Sequence, residues 1–486
     1  MENLQLLRRG VEAATSRGAA YAEARYGMKR RATLTFASGK CVGNGTQTSD
    51  GWGIRVLVDG FWGFAATSGN DEADLEYLLS AALDLAAMAK SAGGQRAELA
   101  PIEPATGEHA MIGELDPFEV PLKEKLALGD EIHGAMAAVD DFSKSRGMLD
   151  FHRDRMELVT SDGTEVAQDV GVVGGGYVAL AERDGQIARR SYPHHGGKDY
   201  ATAGFEWYSD MRFVDEAPRT ASEASLMLAA VPCPRTRTTV VVDSAVMGTV
   251  LHETVGHATE LDRMIGDERD NFGSSFATPA DIGSFPYASP AVSVTADATY
   301  PNAAGSYPYD AEGVPAQRLA VIEDGVLVGA MNSRESAAVV GAEPAGTGRA
   351  VDWSRIPMAR MTNMVLQPGE GTTQDLIRGV DTGIFLAGDV TTDIDDNREL
   401  CAFGGEVGWM IRRGELAEPI AGPIMYGDSH QLLRQVDRVA GADESWVTGI
   451  LGCGKGQPWQ FVFSGQGGPP ARFRNVEIGL PGDDIQ

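Results

Sequence analysis

The sequence predicts an α+β fold in which a mixed N-terminal α/β unit, residues 1–232, precedes a larger, mainly antiparallel β unit, residues 233–486. Three observations predict this division. Helical and strand-like patterns alternate in the first half, two prolines flank Cys233, and the second half consists mostly of short apolar runs between glycine-rich turns. Glycine supplies 60 of the 486 residues. This is roughly twice its usual share, as many tight turns require.

The N-terminal unit alternates helices with strands. A hairpin is predicted in VLVDGFWGF, with its turn at Asp59-Gly60. Residues 93–116 carry Gly, Pro and Glu without periodicity, which indicates a connector. Apolar residues at helical spacing predict four helices, at residues 2–17, 71–92, 118–140 and 216–231.

The C-terminal unit opens with a β-branched run, TTVVVD (238–243), which leads into LHETVGHATELDR (251–263). We therefore expect a strand followed by a helix that carries His252, Glu253 and His257. Short strand-like runs follow, at residues 291–297, 318–332, 361–369 and 383–391. These patterns predict a large β unit with few helices around the histidine-bearing helix.

His252 and His257 are five residues apart, whereas the common zinc-protease pattern separates its histidines by four. On an ideal α-helix the two side chains would diverge by roughly 140°, too far to bind one ion. A local i→i+5 turn would bring them to one side, and Gly256 eases such distortion because it lacks a Cβ. The spacing thus predicts a bulge or break at residues 253–257. A packed or surface histidine pair is the alternative, since eight histidines leave room for coincidence.

A catalytic zinc site usually has three protein ligands and an open position for water. The sequence leaves the third ligand open between Glu260, Asp262 and one of the four cysteines. Cys453 is the most conspicuous cysteine, because flanking glycines allow close approach of the backbone and Lys455 would stabilise a thiolate. A small residue in a tight turn is the alternative interpretation of Cys453.

The net charge of −28, from 41 basic and 69 acidic side chains, argues against a nucleic-acid partner. Only short basic stretches interrupt this acidity, such as Lys29-Arg30-Arg31. No apolar run approaches the roughly 18 residues that cross a bilayer, and the N-terminus lacks the apolar centre of a signal peptide. We therefore expect a cytoplasmic protein without a membrane or nucleic-acid partner.

Several blocks of the sequence occur in a characteristic order over most of the chain: GIRVLVDGFWGFAAT (53–67), HETVGH followed by ELDR, YDAEGVPAQR (309–318), GTGRAVDWSRIPMARMTN (346–363) and LGCGKGQ (451–457). Together they resemble the zinc-binding TldD branch of the TldD/PmbA metalloproteases. The family pattern is H-E-x-x-x-H, so the five-residue spacing is what the resemblance implies.

The resemblance implies that His252, His257 and Cys453 bind zinc and that Glu253 is the catalytic carboxylate of a metallopeptidase. It also implies a dimer, formed either with a second copy or with a PmbA/TldE-like paralogue that lacks the metal site. The dimer would enclose the active site in a cavity reached by unfolded peptide. Processing of leader peptides or other precursors is among the roles that the resemblance implies.

Tyr309, Arg349 and Arg360 lie in the matching blocks and are candidate substrate-binding residues, although an arginine in a strand-rich unit more often pairs with a surface carboxylate. An exposed strand edge binds extended peptides through the main chain, so we expect hydrolysis of unfolded peptides with weak sequence preference. Residues 391–414 depart from the family pattern, because they are acidic where a plainer glycine-rich block is usual. This departure leaves substrate preference open.

Two alternative functions stay open. The chain could be a non-catalytic peptide-binding partner subunit of such a protease complex, but a silent subunit has no reason to keep His252, Glu253, His257 and Cys453. The zinc could be structural, but structural sites normally have four protein ligands, and Glu253 would then have no role. The natural peptide, the choice between endo- and exo-cleavage and the choice between homo- and heterodimer are open from the sequence.

Overall fold

The computed structural model describes residues 2–69, 72–194, 196–268 and 273–480. Within these ranges the chain forms 24 strands and ten α-helices. The helices are α1 (Glu2–Ser16), α2 (Glu72–Ser91), α3 (Leu122–Met136), α4 (Trp207–Asp210), α5 (Phe213–Met227), α6 (Ser244–Leu251), α7 (Leu261–Met264), α8 (Arg334–Val340), α9 (Thr373–Arg378) and α10 (Ser429–Arg434).

The first sheet has eight strands: β1 (Tyr21–Ala37), β2 (Lys40–Val58), β3 (Phe61–Ser68), β4 (Thr106–Met111), β5 (Phe142–Thr160), β6 (Glu165–Arg183), β7 (Gln186–Tyr192) and β8 (Asp199–Ala201). Their order is β3-β2-β1-β5-β6-β4, with β7 and β8 also paired to β6. Apolar residues of α1 and α2 pack on β1 and β2, and those of α3 and α5 pack on β5 and β6. The burial of these helical faces explains their periodicity in the sequence.

The second sheet also has eight strands: β9 (Val231–Pro232), β10 (Thr236–Val242), β17 (Thr382–Ile394), β18 (Leu400–Arg412), β19 (Glu415–Ala421), β20 (Ile424–Asp428), β21 (Val436–Val439) and β24 (Ala471–Gly479). Their order is β17-β10-β24-β20-β18-β19-β9, and β21 pairs with β24. Because β17 also pairs with β18, five of these strands form a closed ring.

The third sheet has six strands: β11 (Val294–Asp297), β12 (Arg318–Glu323), β13 (Val326–Leu327), β16 (Asn363–Leu366), β22 (Trp446–Lys455) and β23 (Gln460–Gly468). Their order is β13-β12-β11-β16-β23-β22, so β22 is an edge strand of this sheet. The remaining strands, β14 (Gly348–Arg349) and β15 (Met358–Ala359), pair with each other. Every residue of α6 is buried, and α6 packs into one core with strands of the second and third sheets.

The predicted α+β class is confirmed. The helix predicted at residues 71–92 is α2, with residue 71 outside the described part of the chain. The hairpin turn is confirmed as well, because Asp59 and Gly60 have φ of 53° and 86° between β2 and β3. Such angles are those that the favoured two-residue turn requires. Among the described residues, no helix combines the length and apolarity that spanning a membrane would need.

The structure corrects the interpretation of residues 93–116 as a connector. This segment contains β4, which pairs in parallel with β6 over Thr106–Met111. The side chains of β4 are exposed or half-buried, so no apolar alternation marks the strand in the sequence. The domain boundary between residues 232 and 233 stays a prediction.

Candidate metal centre

The helix that carries the histidines changes its winding at the predicted place. Asp243 caps the start of α6 by accepting a hydrogen bond from Val246 N at 2.9 Å. After α6 the chain forms a π-helical turn over His252–Gly256, in which the His257 N–H donates to the His252 carbonyl. The bulge predicted at residues 253–257 is therefore confirmed.

Gly256 allows this turn to pack against its neighbour. A Cβ added at Gly256 would lie 2.1 Å from Met361 Sδ, closer than any contact between such atoms. The hydroxyl of Tyr287 donates to the carbonyl of Thr254, which keeps that buried group satisfied inside the turn. The π-helical turn therefore fits against Met361 because Gly256 has no side chain, and the hydrogen bond from Tyr287 stabilises it.

The wide turn brings His252 and His257 together, and Cys453 joins them from β22. The imidazole centroids are 4.9 Å apart, and Cys453 Sγ lies 3.8 Å from His257 Nε2. One ligand atom from each of the three residues lies within 4.8 Å of the other two. All three side chains are buried.

A bulge in β22 accompanies the position of the thiol. The register between β22 and β23 shifts between Ile450 and Cys453, so that Cys453 lies opposite Val462. Bulges of this kind re-aim side chains and are common beside active sites. Gly452, inside the bulge, is exposed and has open space where a Cβ would be.

The three residues fit a zinc ion. Tetrahedral zinc with ordinary Zn–N and Zn–S bonds separates imidazole nitrogen from sulfur by about 3.6 Å, close to the 3.8 Å between His257 Nε2 and Cys453 Sγ. The Nδ1 atom of His252 is buried without a hydrogen-bond partner in the described part of the chain. Two imidazoles and one thiolate are a donor set that zinc accepts, with one position left open.

Glu260 and Asp262, the other nearby candidates for the third ligand, both have partners among the described side chains. Glu260 Oε2 lies 3.0 Å from His257 Nδ1 and accepts a hydrogen bond from Arg263 Nε at 2.9 Å. Asp262 accepts two hydrogen bonds from Lys455 Nζ, at 2.6 and 2.8 Å. An ionised carboxylate only accepts hydrogen bonds, so His257 carries a proton on Nδ1, and its Nε2 faces the thiol of Cys453.

The cation beside the thiol is Arg360 rather than Lys455. Arg360 is fully buried, and its Nη2 donates to the Cys453 carbonyl at 2.5 Å and lies 3.3 Å from Sγ. Burial alone would raise the pKa of the Cys453 thiol, but Arg360 and His257 outweigh burial and hold that pKa well below its usual value. Arg360 and Cys453 are far apart in the sequence, and no local pattern indicates that they meet.

Glu253 is half-buried in the π-helical turn, directly after His252. No residue in the described part of the chain donates a hydrogen bond to its carboxylate. The side chain therefore has both oxygens available, as a group that accepts a proton during a reaction requires.

The other candidate residues lie in two places. Tyr309 and Arg349 line a cavity of about 140 Å³ between the first sheet and β23, whereas Arg360 lies against Cys453 outside that cavity. Arg349 donates through Nη1 to the carbonyls of Met361 and Phe463, at 2.6 and 2.7 Å. These contacts hold the guanidinium at the cavity wall.

Three family models match successive parts of the chain. The model described as PmbA/TldA metallopeptidase domain 1 matches residues 22–89, the central-domain model matches residues 115–228, and the C-terminal-domain model matches residues 235–480. Together they cover most of the chain in one order.

Curated proteins and solved structures agree with these matches. A protein named "Metalloprotease" from Methanothermobacter thermautotrophicus is 30% identical over 94% of this chain and 95% of its own. A "Metalloprotease TldD homolog" from Haemophilus influenzae is 30% identical over 66% of this chain and 64% of its own. The crystal structure of TldE from Thermococcus kodakarensis has the same fold, with a TM-score of 0.73 at 16% identity over 98% of this chain and 100% of that one.

Proposed function

The chain belongs to the PmbA/TldD family of metallopeptidases, and on that premise we propose that it is a zinc-dependent peptidase of the H-E-x-x-x-H type. In this proposal His252, His257 and Cys453 hold the ion, and Glu253 is the catalytic carboxylate. The observation that carries the proposal is the approach of three ligand atoms within 4.8 Å of one another. Three protein ligands leave the open position that catalysis needs, which a structural zinc site would lack.

The roles of the protein groups follow from their positions. Zinc held at this site would supply Lewis acidity, which favours loss of a proton from water and polarises a peptide carbonyl. Glu253 takes the proton from the attacking water and returns it to the leaving amine. Arg360, which lies 3.3 Å from Sγ, stabilises the thiolate of Cys453.

The edge strand β22 supports the proposal that the substrate is an extended peptide. The first half of β22 is covered by β8, since Gly449 N donates to Asp199 Oδ1 at 2.6 Å. The second half carries the bulge, where Gly452 is exposed, and no described strand pairs with its outer edge. Main-chain hydrogen bonds to such an edge bind extended chains with little sequence demand. We therefore propose unfolded peptides as substrates, with Tyr309 and Arg349 as further contacts.

Replacement of Glu253 tests the enzyme assignment. We expect Glu253→Ala to keep about one zinc ion per chain and to lower the hydrolysis of an unstructured fluorogenic peptide by roughly 10²–10⁴-fold, the usual contribution of a general base. Glu418→Ala, which removes a half-buried carboxylate on β19, is the matched control and should hydrolyse the peptide normally. Full activity in Glu253→Ala would contradict the proposal, as would hydrolysis that survives a chelator.

We also propose that the chain works as a dimer in the cytoplasm, with itself or with a PmbA/TldE-like paralogue, and that it processes leader peptides or other precursors. Light scattering of the purified protein, alone and with a co-expressed paralogue, tests the assembly. A non-catalytic, peptide-binding partner subunit is the alternative function. That alternative predicts peptide binding without hydrolysis in the zinc-loaded chain, whereas the peptidase proposal predicts turnover.

A further inference from the structure

One buried carboxylate oxygen lies at the centre of the contacts around His257. Oε2 of Glu260 lies 3.0 Å from His257 Nδ1, 2.9 Å from Arg263 Nε and 3.4 Å from Lys455 Nζ. The other oxygen, Oε1, is buried without a hydrogen-bond partner among the described residues. The three contacts therefore converge on a single atom.

Lys455 connects this carboxylate to the strand that carries the thiol. Cys453 and Lys455 are two residues apart on β22, so their side chains leave the strand on the same face. The Lys455 ammonium group contacts Asp262 and Glu260 and donates to the Ala359 carbonyl at 2.8 Å. The chain segment of His257 and the strand of Cys453 are thereby joined by buried ion pairs.

We propose that Glu260 is a positioning residue that aims the Nε2 atom of His257 at the metal position. This inference rests on the proposed function in one respect, namely that His257 is a metal ligand. A carboxylate behind a ligating histidine fixes the tautomer and the ring orientation, and its loss typically lowers metal affinity by 10–100-fold.

A structural ion pair is the competing explanation, because buried charges that lose a partner destabilise a fold whatever they do for a metal. Three substitutions of Glu260 separate the two explanations, because they change the reach and the charge of the side chain independently. Gln keeps the reach of the side chain and loses the charge. Asp keeps the charge and loses the reach, and Ala loses both.

Gln is an informative substitution because a single oxygen of Glu260, Oε2, makes all three contacts. Its amide oxygen can replace Oε2 and accept from all three donors, while its amide nitrogen takes the position of the unpartnered Oε1. Positioning therefore predicts that Glu260→Gln binds zinc within about threefold of the parent, since the hydrogen bond to Nδ1 survives. Glu260→Asp and Glu260→Ala should both lose roughly 10–100-fold.

The measurement is zinc and cobalt affinity of the metal-stripped full chain, by competition with a chromophoric chelator. The thiolate-to-cobalt absorption band reports ligand geometry independently of catalysis. Glu312→Gln, at a buried carboxylate paired with Arg55, is the matched control and should keep parental affinity. Circular dichroism and urea unfolding of each variant show whether the chain is folded before metal is added.

The outcomes separate this inference from the proposed function. If the parent chain binds no zinc, the proposed function fails. If the parent binds zinc but the affinities of the folded variants do not follow the order Gln above Asp and Ala, positioning by Glu260 is overturned. If Glu260→Ala does not fold, the comparison of Gln with Asp alone decides, because these two differ in reach and charge in opposite ways.

Discussion

The two ends of β22 each bury a carboxylate, with opposite consequences for its charge. At the C-terminal end, burial alone would raise the pKa of Glu260, but Lys455 and His257 outweigh burial and hold that pKa well below its usual value. At the N-terminal end, burial raises the pKa of Asp199 to about 7. Burial is complete in one case and nearly so in the other, so the neighbouring groups decide the charge.

The donors around Asp199 are all neutral. Its carboxyl accepts from Gly449 N at 2.6 Å, from Tyr200 N at 2.7 Å and from Trp446 Nε1 at 3.2 Å. The bonds from Gly449 and Trp446 join β8 of the first sheet to β22 of the third, and none of the three donors supplies a positive charge. The carboxyl group at the N-terminal end of β22 therefore has only neutral donors around it. At the C-terminal end, charged side chains form a cluster beside the candidate metal ligands.

Neighbouring groups also decide the pKa values of two buried thiols. Cys401 and Cys453 are each 2% exposed. Burial raises the pKa of the Cys401 thiol to about 12, whereas Arg360 and His257 lower that of Cys453 despite its burial. A buried cysteine becomes a metal ligand where cations or a metal stabilise its thiolate, and it stays an inert apolar group elsewhere.

The largest expected effect is the loss of zinc on replacing Cys453. Cys453→Ser removes the thiolate, and a serine hydroxyl keeps its proton at neutral pH. We expect zinc affinity to fall by more than about 100-fold, because even residues behind the ligands cost 10–100-fold. Metal analysis after dialysis measures the effect. Cys401→Ser is the control and should keep its zinc, whereas stoichiometric zinc in Cys453→Ser would refute the contrast between the two thiols.

The next largest effect concerns the charged end of β22. Lys455→Met leaves Glu260 and Asp262 buried without their shared cation, so we expect the free energy of unfolding of the metal-free chain to fall by about 3–5 kcal/mol. Urea unfolding measures this change. Lys90→Met removes an exposed lysine that pairs with Asp59, and it should leave the unfolding midpoint unchanged. Equal effects of the two substitutions on the free energy of unfolding would show that the buried ion pairs of Lys455 stabilise the chain no more than an exposed pair does.

The next prediction concerns Asp199, whose raised pKa should make the stability of the chain depend on pH. The unfolded chain releases the proton of Asp199 near pH 4, whereas the folded chain holds it until about pH 7. Between these values the folded state binds more protons, so stability falls as pH rises, by up to about 4 kcal/mol from this group. Above pH 7 the contribution is constant. Asp199→Asn cannot ionise, so we expect its stability to fall less over this window.

Unfolding free energies at pH 4.5, 6 and 8 test the Asp199 prediction. The slope with pH is the quantity to compare, because the amide of Asn faces the Trp446 Nε1 donor and adds a cost that does not depend on pH. Parallel pH profiles for the parent and Asp199→Asn would mean that Asp199 is ionised in the folded chain. The contrast between the two ends of β22 would then be lost.

The local patterns of the sequence predicted the local parts of this arrangement. The Asp59-Gly60 turn and the bulge at residues 253–257 depend on neighbouring residues, and both were predicted. The strand β4 was missed because its register with β6 supplies its stability and its side chains stay exposed or half-buried.

Contacts between distant segments could not be derived in the same way. The sequence allowed Glu260 as a metal ligand, and only the three-dimensional structure shows that its carboxylate faces His257 Nδ1 instead. Lys455 was predicted to stabilise the thiolate, yet it pairs with Asp262 while Arg360 lies beside the sulfur. Cys453 itself was selected through the family resemblance and its flanking glycines. The pairing of charged side chains around a buried site is thus the feature that is hardest to predict from a single sequence.

The smallest effects are expected from two glycines, Gly449 in the first half of β22 and Gly256 in the π-helical turn at the histidines. A Cβ at Gly449 would lie 1.9 Å from the backbone carbonyl of Tyr200, whereas a Cβ at Gly256 would meet the flexible side chain of Met361. We expect Gly449→Ala to lower the unfolding free energy by about 3 kcal/mol and Gly256→Ala by about 1 kcal/mol, since backbone yields less than a methionine side chain.

Urea unfolding with zinc titration separates the two glycine effects. Met361→Ala, added to Gly256→Ala, should restore part of the lost stability by making room for the new methyl group, and a double-mutant cycle measures that coupling. The same Met361→Ala change should do nothing for Gly449→Ala. If Met361→Ala fails to relieve Gly256→Ala, neighbours other than Met361 limit the space at Gly256, because its φ of −55° is one that any residue adopts.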